Sequence, residues 1–150
     1  MRPQSLRITG LVATLGAFGA CSAPARRGTL EVHGAYAFAP ITTEEAAVYF
    51  TVVNHGNTPD TLVGATCGCA RSAALHQESM RGMTGMGGMV MERNVPIAPG
   101  DSLDLMPGGT HLMLDSLDHL PKAGERISVT LRFAHTGTVV LEVPVRPYAQ

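Results

Sequence analysis

The tightest constraint on the fold is a two-residue rhythm. Ile127-Ser128-Val129-Thr130-Leu131-Arg132-Phe133 alternates apolar with polar side chains, Ala134-His135-Thr136-Gly137 supplies turn chemistry, and a second run follows from Val139 to Val145. Successive side chains of a strand point to opposite faces, so such a segment rests with one face on a core and the other in water. A β-hairpin is expected there. Shorter runs of the same kind occupy Leu30 to His33, Ala47 to Val53, Thr61 to Val63, Ser72 to His76, Ser102 to Leu105 and His111 to Leu114, each bounded by Gly, Pro, Asn or Asp. Helical periodicity never persists. Seven or eight strands without a crossover helix predict an all-β, antiparallel Greek-key β-sandwich.

The chain has 150 residues, enough for one domain. Charged residues are only 15% of it, with Lys plus Arg at 11 against Asp plus Glu at 12, which excludes the basic surface of a nucleic-acid binder. A hydrophobic share of 45% supplies a core. What composition leaves unexplained is eight Met and six His in a chain without Trp.

Residues 1–20 have the pattern of an export signal: Arg2 and Arg7 precede an uncharged run from Ile8 to Ala20, 13 residues long and too short to span a bilayer. Phe18-Gly19-Ala20-Cys21-Ser22 resembles a bacterial lipobox, with Phe18 where Leu is usual, and predicts that Cys21 is lipidated and tethers the protein to a membrane. Cleavage after Ala25 is the rival processing route, and a buried apolar helix is the bland one. Either route of processing puts the mature protein in an extracytoplasmic, periplasmic space. Loss of Arg2 and Arg7 leaves 9 basic against 12 acidic residues, a net charge of −3. Residues 21–29 read as a short linker and residues 30–150 as the folded domain.

Met80, Met83, Met86, Met89 and Met91 fall within twelve residues whose glycines forbid a stable helix. Met is commonly a flexible apolar filler, so this stretch could simply cover a hydrophobic surface. A thioether is also a soft, neutral donor that selects Cu(I), and imidazole ligates copper as well. His76 ends one strand on the near side of this stretch. His111-Leu112-Met113 lies on the far side, where alternate residues of a strand present both donors to one face.

His76, Met89 and His111-x-Met113 together resemble the H(M)X10MX21HXM signature of periplasmic copper chaperones of the PCuAC family. Between Met89 and His111 lie 21 residues, the family spacing. Pro96-Ile97-Ala98-Pro99-Gly100 and the stretch from Leu103 to Leu114 are similar to the family as well, and the resemblance runs from Leu30 to Val145. Two departures stand out. Gln77 follows His76 where the family often has Glu or Met, and 12 residues separate His76 from Met89 where the motif has 11. The longer loop leaves Met86 and Met91 as alternates to Met89. The resemblance implies a cupredoxin-like β-sandwich, a Cu(I) site made by His76, Met89, His111 and Met113, and delivery of copper to a partner such as the CuA site of cytochrome c oxidase. A monomer without catalytic activity is expected. A set lacking a Cys thiolate does not suit a blue-copper electron carrier.

Cys67-Gly68-Cys69 stands outside that motif. In an oxidising compartment the pair could form a local disulfide, an auxiliary copper-thiolate site or a redox pair. His33, His55, His119 and His135 read as surface residues. No nucleophile elbow, P-loop or metalloprotease helix is present. Two further readings remain beside the chaperone: a copper-buffering or resistance lipoprotein, and a thiol-disulfide reductase using Cys67 and Cys69.

Overall fold

The computed structural model describes the backbone of residues 25–78, 89–92 and 94–148, with side chains over 28–76 and 94–148. Eleven strands make up its regular structure: β1 (Ala25–Arg27), β2 (Leu30–Phe38), β3 (Glu45–Asn54), β4 (Asp60–Cys67), β5 (Ala70–Glu78), β6 (Met89–Glu92), β7 (Val95–Ile97), β8 (Ser102–Leu105), β9 (Thr110–Leu117), β10 (Arg126–Phe133) and β11 (Gly137–Arg146). All eight strands expected from the alternation are present. The expected hairpin pairs Arg126 with Pro144 through to Phe133 with Gly137. Gly137 takes φ 84, a backbone conformation that side-chain-bearing residues rarely adopt, and so closes the turn. β1, β6 and β7 were not legible from alternation because runs of three or four residues carry almost no period. β1 falls within residues 21–29 and pairs with β2.

The strands form two layers. One sheet runs β6-β5-β9-β3-β2, with β1 against β2 and β8 against β3, and the other runs β11-β10-β4-β7. All pairings are antiparallel except the short parallel contact of Val145 and Arg146 with Ala37 and Phe38, which links the two layers. Consecutive strands repeatedly change sheet, from β4 to β5, β6 to β7, β7 to β8 and β9 to β10, so the chain wraps the core. This is the antiparallel β-sandwich that the strand pattern predicted, of the cupredoxin-like kind that the family resemblance implied.

The inward residues of both sheets fill the space between them. Phe50, Leu62, Leu112, Leu131 and Val143 are essentially sealed from solvent. Fully burying one such side chain contributes about 1.5–3 kcal/mol, so the core sets both the stability and the register of the strands. On β3 the alternation is regular: Ala46, Val48, Phe50 and Val52 face the core, and Ala47, Tyr49 and Thr51 face outward.

β2 breaks its own rhythm. Its partners step from His33 opposite Thr51 to Tyr36 opposite Tyr49, so it spends three residues where β3 spends two. Gly34 takes φ 67 in this bulge. Leu30 and Val32 point inward before it, and Ala35 and Ala37 after it. In an unbulged strand of the same sequence Tyr36 and Phe38 would continue the inward parity; the bulge shifts the count by one, and they stand on the outer face of the sheet.

Candidate metal centre

The outer face of the first sheet carries the donors. Strand β9 lies between β5 and β3, and its central residues are buried on both sides. Leu112 and Leu114 enter the core, while His111 and Met113 face outward yet are only 8% and 6% exposed. An outward His and Met sealed to this degree belong to a built site, not a solvated strand face.

Strand register assembles the site in two rows. In the first, Met91 stands opposite His76 and His76 opposite His111. Tyr49 continues the row, with its ring 6.5 Å from that of His111, and Tyr36 lies opposite Tyr49. In the second row Ala74 and Ala47 flank Met113 on either side. Two methyl side chains leave room for a long thioether between them. The His76 and His111 rings are 6.1 Å apart between centroids, within reach of one ion held between the two imidazoles.

A type II turn orients His111. Met106-Pro107-Gly108-Gly109 has Pro second and Gly third, Gly108 takes φ 75, and the Gly109 N–H donates to the Met106 carbonyl at 3.1 Å. The turn places the Gly109 carbonyl 3.0 Å from His111 Nδ1. A carbonyl can only accept, so Nδ1 carries the proton and Nε2 keeps its lone pair for a ligand. Metal-binding histidines are commonly held in this way. Across the strand, Nδ1 of His76 is buried without a hydrogen-bond partner among the described residues. A buried polar nitrogen left in that state costs free energy that a bound ion would relieve.

Three of the four motif residues, His76, His111 and Met113, therefore share one patch of the outer face. For the fourth, the backbone of β6 sets Met91 opposite His76 and Met89 opposite Glu78. The side chains of both, and all of Met80, Met83 and Met86, lie outside the described residues. Among the described residues no three of His, Cys, Asp and Glu come together. Two imidazoles with thioethers suit a soft ion better than Mg²⁺ or Ca²⁺, which take oxygen donors.

Sequence reasoning missed the aromatic wall. Tyr36, Phe38 and Tyr49 pack with ring centroids 5.1–6.1 Å apart, and Tyr148 joins Phe38 at 5.3 Å. Arg146 lies 4.3 Å over the Tyr36 ring. A shallow groove runs from Met113 past Tyr49 and Phe38 to Ile41, which is 88% exposed, and Tyr148. The parity of Tyr49 on β3 was the available signal; that of Tyr36 was hidden by the bulge.

The cysteines lie elsewhere. Cys67 and Cys69 form a disulfide at the turn from β4 into β5, far along β5 from His76. His119 lines a cavity beside that disulfide. His55 meets Glu31 at 2.9 Å, and His135 lies 3.4 Å from Asp60. None of Cys67, Cys69, His55, His119 and His135 approaches the metal centre by strand register. The Cys21 region lies outside the described residues.

The architecture is that of a PCuAC domain. The copper-bound PCuAC domain from PmoF2 superposes with a TM-score of 0.72 at 23% identity, covering 84% of this chain and 99% of that one. The apo PCuAC domain from PmoF1 matches equally well at 25% identity, over 84% and 100% of the two chains. The solution structure of CuI-DR1885 from Deinococcus radiodurans gives a TM-score of 0.61 at 30% identity, over 86% and 83%. The chain belongs to the LpqE-like family, described as "Putative lipoprotein LpqE-like", whose pattern matches residues 30–145. A relative in Leifsonia xyli subsp. xyli, named "Putative lipoprotein Lxx21020", is 37% identical over 106 residues. That match covers 69% of this chain and 61% of the relative, so the chain spans less than two thirds of that protein's length.

Proposed function

We propose that the protein is an extracytoplasmic Cu(I) chaperone that binds one ion through His76, Met89, His111 and Met113 and hands it to an acceptor. The observation that carries this reading is the pair of imidazoles on adjacent strands beside a buried Met113, with His111 Nδ1 committed to Gly109 and its Nε2 left available. The copper in the names of the matching PCuAC structures supports the same reading. Neutral donors suit delivery, because each can be displaced singly by an incoming ligand and released without taking up a proton. The preferred acceptor is the CuA site of cytochrome c oxidase, and the protein acts as a monomer. Buffering without transfer is the rival use of the same site.

Export with a lipid on Cys21 is part of this proposal. It is supported by the apolar run before Cys21 and by the lipoprotein names of the family and of the relative.

The test is Cu(I) titration of the purified protein against a competing chelator. One tight equivalent per chain is expected, with X-ray absorption showing both nitrogen and thioether sulfur around copper. The double variant His111→Ala/Met113→Ala should lose at least a hundredfold in affinity; unchanged affinity would remove these residues from the site. Met89→Ala against Met91→Ala decides the fourth donor: the family spacing favours Met89, while the backbone of Met91 lies opposite His76. Copper passing to a purified CuA domain separates chaperone from buffer.

A further inference from the structure

The turn Cys67-Gly68-Cys69 carries chemistry that copper binding leaves unused. It sits where the chain leaves the second sheet on β4 and enters the first on β5. From Cys69 to His76 is seven residues of extended strand, roughly 20 Å at ~3.3 Å per residue, so the two sites share no ligand. The two halves of the disulfide are not equivalent. Cys67 is packed into the core at 8% exposure, and its Sγ accepts a hydrogen bond from the Cys69 backbone N–H at 3.2 Å. Cys69 is half-buried. Both line a surface cavity together with Asp118, His119, Arg126 and Ser128. A Cβ placed on Gly68 would meet no heavy atom within 4 Å, so the outer side of the turn is open.

We infer that Cys67–Cys69 is a redox-active site that accepts two electrons from a dithiol, the dithiol being a protein or small molecule that fits the cavity. A thiolate of the dithiol attacks Sγ of the more accessible Cys69. A mixed disulfide forms, the bond between the two cysteines breaks, and its electron pair leaves on Sγ of Cys67. The nascent Cys67 thiolate meets the donor already in place, the Cys69 N–H, in a cavity whose wall carries Arg126 as well as Asp118. A stabilised leaving thiolate makes exchange faster, which selects the direction of attack. The second thiol of the dithiol then attacks its own sulfur partner in the mixed disulfide and releases Cys69. The dithiol ends as a disulfide, and its two protons end on Cys67 and Cys69. The opposing view is a bridge that merely pins the corner between sheets, and such a bridge stays closed until the fold opens.

The deciding experiment equilibrates the copper-free full chain in graded mixtures of reduced and oxidised dithiothreitol, quenches with acid and labels free thiols with a maleimide. Labels are read on the peptide bearing Cys67 and Cys69, so Cys21 does not contribute. The pair is expected to pass from unlabelled to doubly labelled in one two-electron transition while circular dichroism keeps the folded signal. Labelling that appears only when the folded signal is lost would overturn the proposal. Glutathione trapped in the presence of excess monothiol should map to Cys69; adducts on Cys67 overturn the direction of attack. Arg126→Gln, whose side chain lies on the cavity wall, should slow reduction of the folded protein several-fold at unchanged thermal stability. An equal rate removes Arg126 from the site. Cu(I) affinity is measured on the same samples, so failure here and failure of the copper reading are distinguishable.

Discussion

At the scale of single residues, Asp60 is the clearest buried charge. It is 4% exposed and begins β4. Burial by itself would raise its pKa, but the Thr136 hydroxyl and the N–H groups of His135, Thr61 and Thr136 donate to its carboxylate and hold it at about 2, below the ordinary 3.8. These bonds tie the β10–β11 turn to the start of β4. Because the folded pKa is depressed, the stabilisation is complete above about pH 4 and is lost as pH falls through about 2. The shift corresponds to about 2 kcal/mol. Asp60→Asn should therefore lower the urea midpoint at pH 7 and flatten its decline between pH 4 and pH 2. A variant as acid-sensitive as the parent would show that other carboxylates govern that limb.

At the scale of elements, the bulge in β2 decides what surrounds the metal centre. Gly34 takes the positive φ at which the strand absorbs one extra residue, and Tyr36 and Phe38 join Tyr49 on the outer face beyond it. Deleting Gly34 would set Ala35 alone opposite Phe50 and restore a regular alternation, so Ala35 and Ala37 would stay inward and Tyr36 and Phe38 outward. The deletion is therefore expected to fold, with a melting temperature lowered by only a few degrees. Gly34→Ala keeps the bulge and costs about 1 kcal/mol for φ 67. Loss of the folded signal in the deletion variant, measured by thermal unfolding, would refute the parity argument. Strand β9 has the complementary role: Leu112 and Leu114 anchor it in the core, and that anchoring fixes where His111 and Met113 stand.

For the whole molecule, the proposed copper site joins strands that are distant in sequence. His76 is on β5 and His111 and Met113 are on β9, while Met89 and Met91 are on β6 at the sheet edge. An ion bound only by the folded arrangement stabilises it by mass action, by about 2.7 kcal/mol at a free concentration one hundredfold above Kd. Cu(I) should raise the melting temperature of the parent by several degrees and leave that of His111→Ala/Met113→Ala unmoved. An equal rise in both proteins would locate the stabilising ion elsewhere. Light scattering should report one chain per particle with and without copper.

Much of this was legible in the chain itself. Alternation such as that of Ile127 to Phe133 specified strands, because a period of two has one stable solution against a core, and donor identity together with the resemblance to the family motif singled out His76, His111 and Met113. Local pattern could not show that Gly109 orients His111, that Ala47 and Ala74 make room for Met113, or that Tyr36 and Tyr49 wall the site. Those are relations across strands. They depend on register, and register is decided by how the two sheets close over one core, where a slip of a single residue would turn every donor to the wrong face.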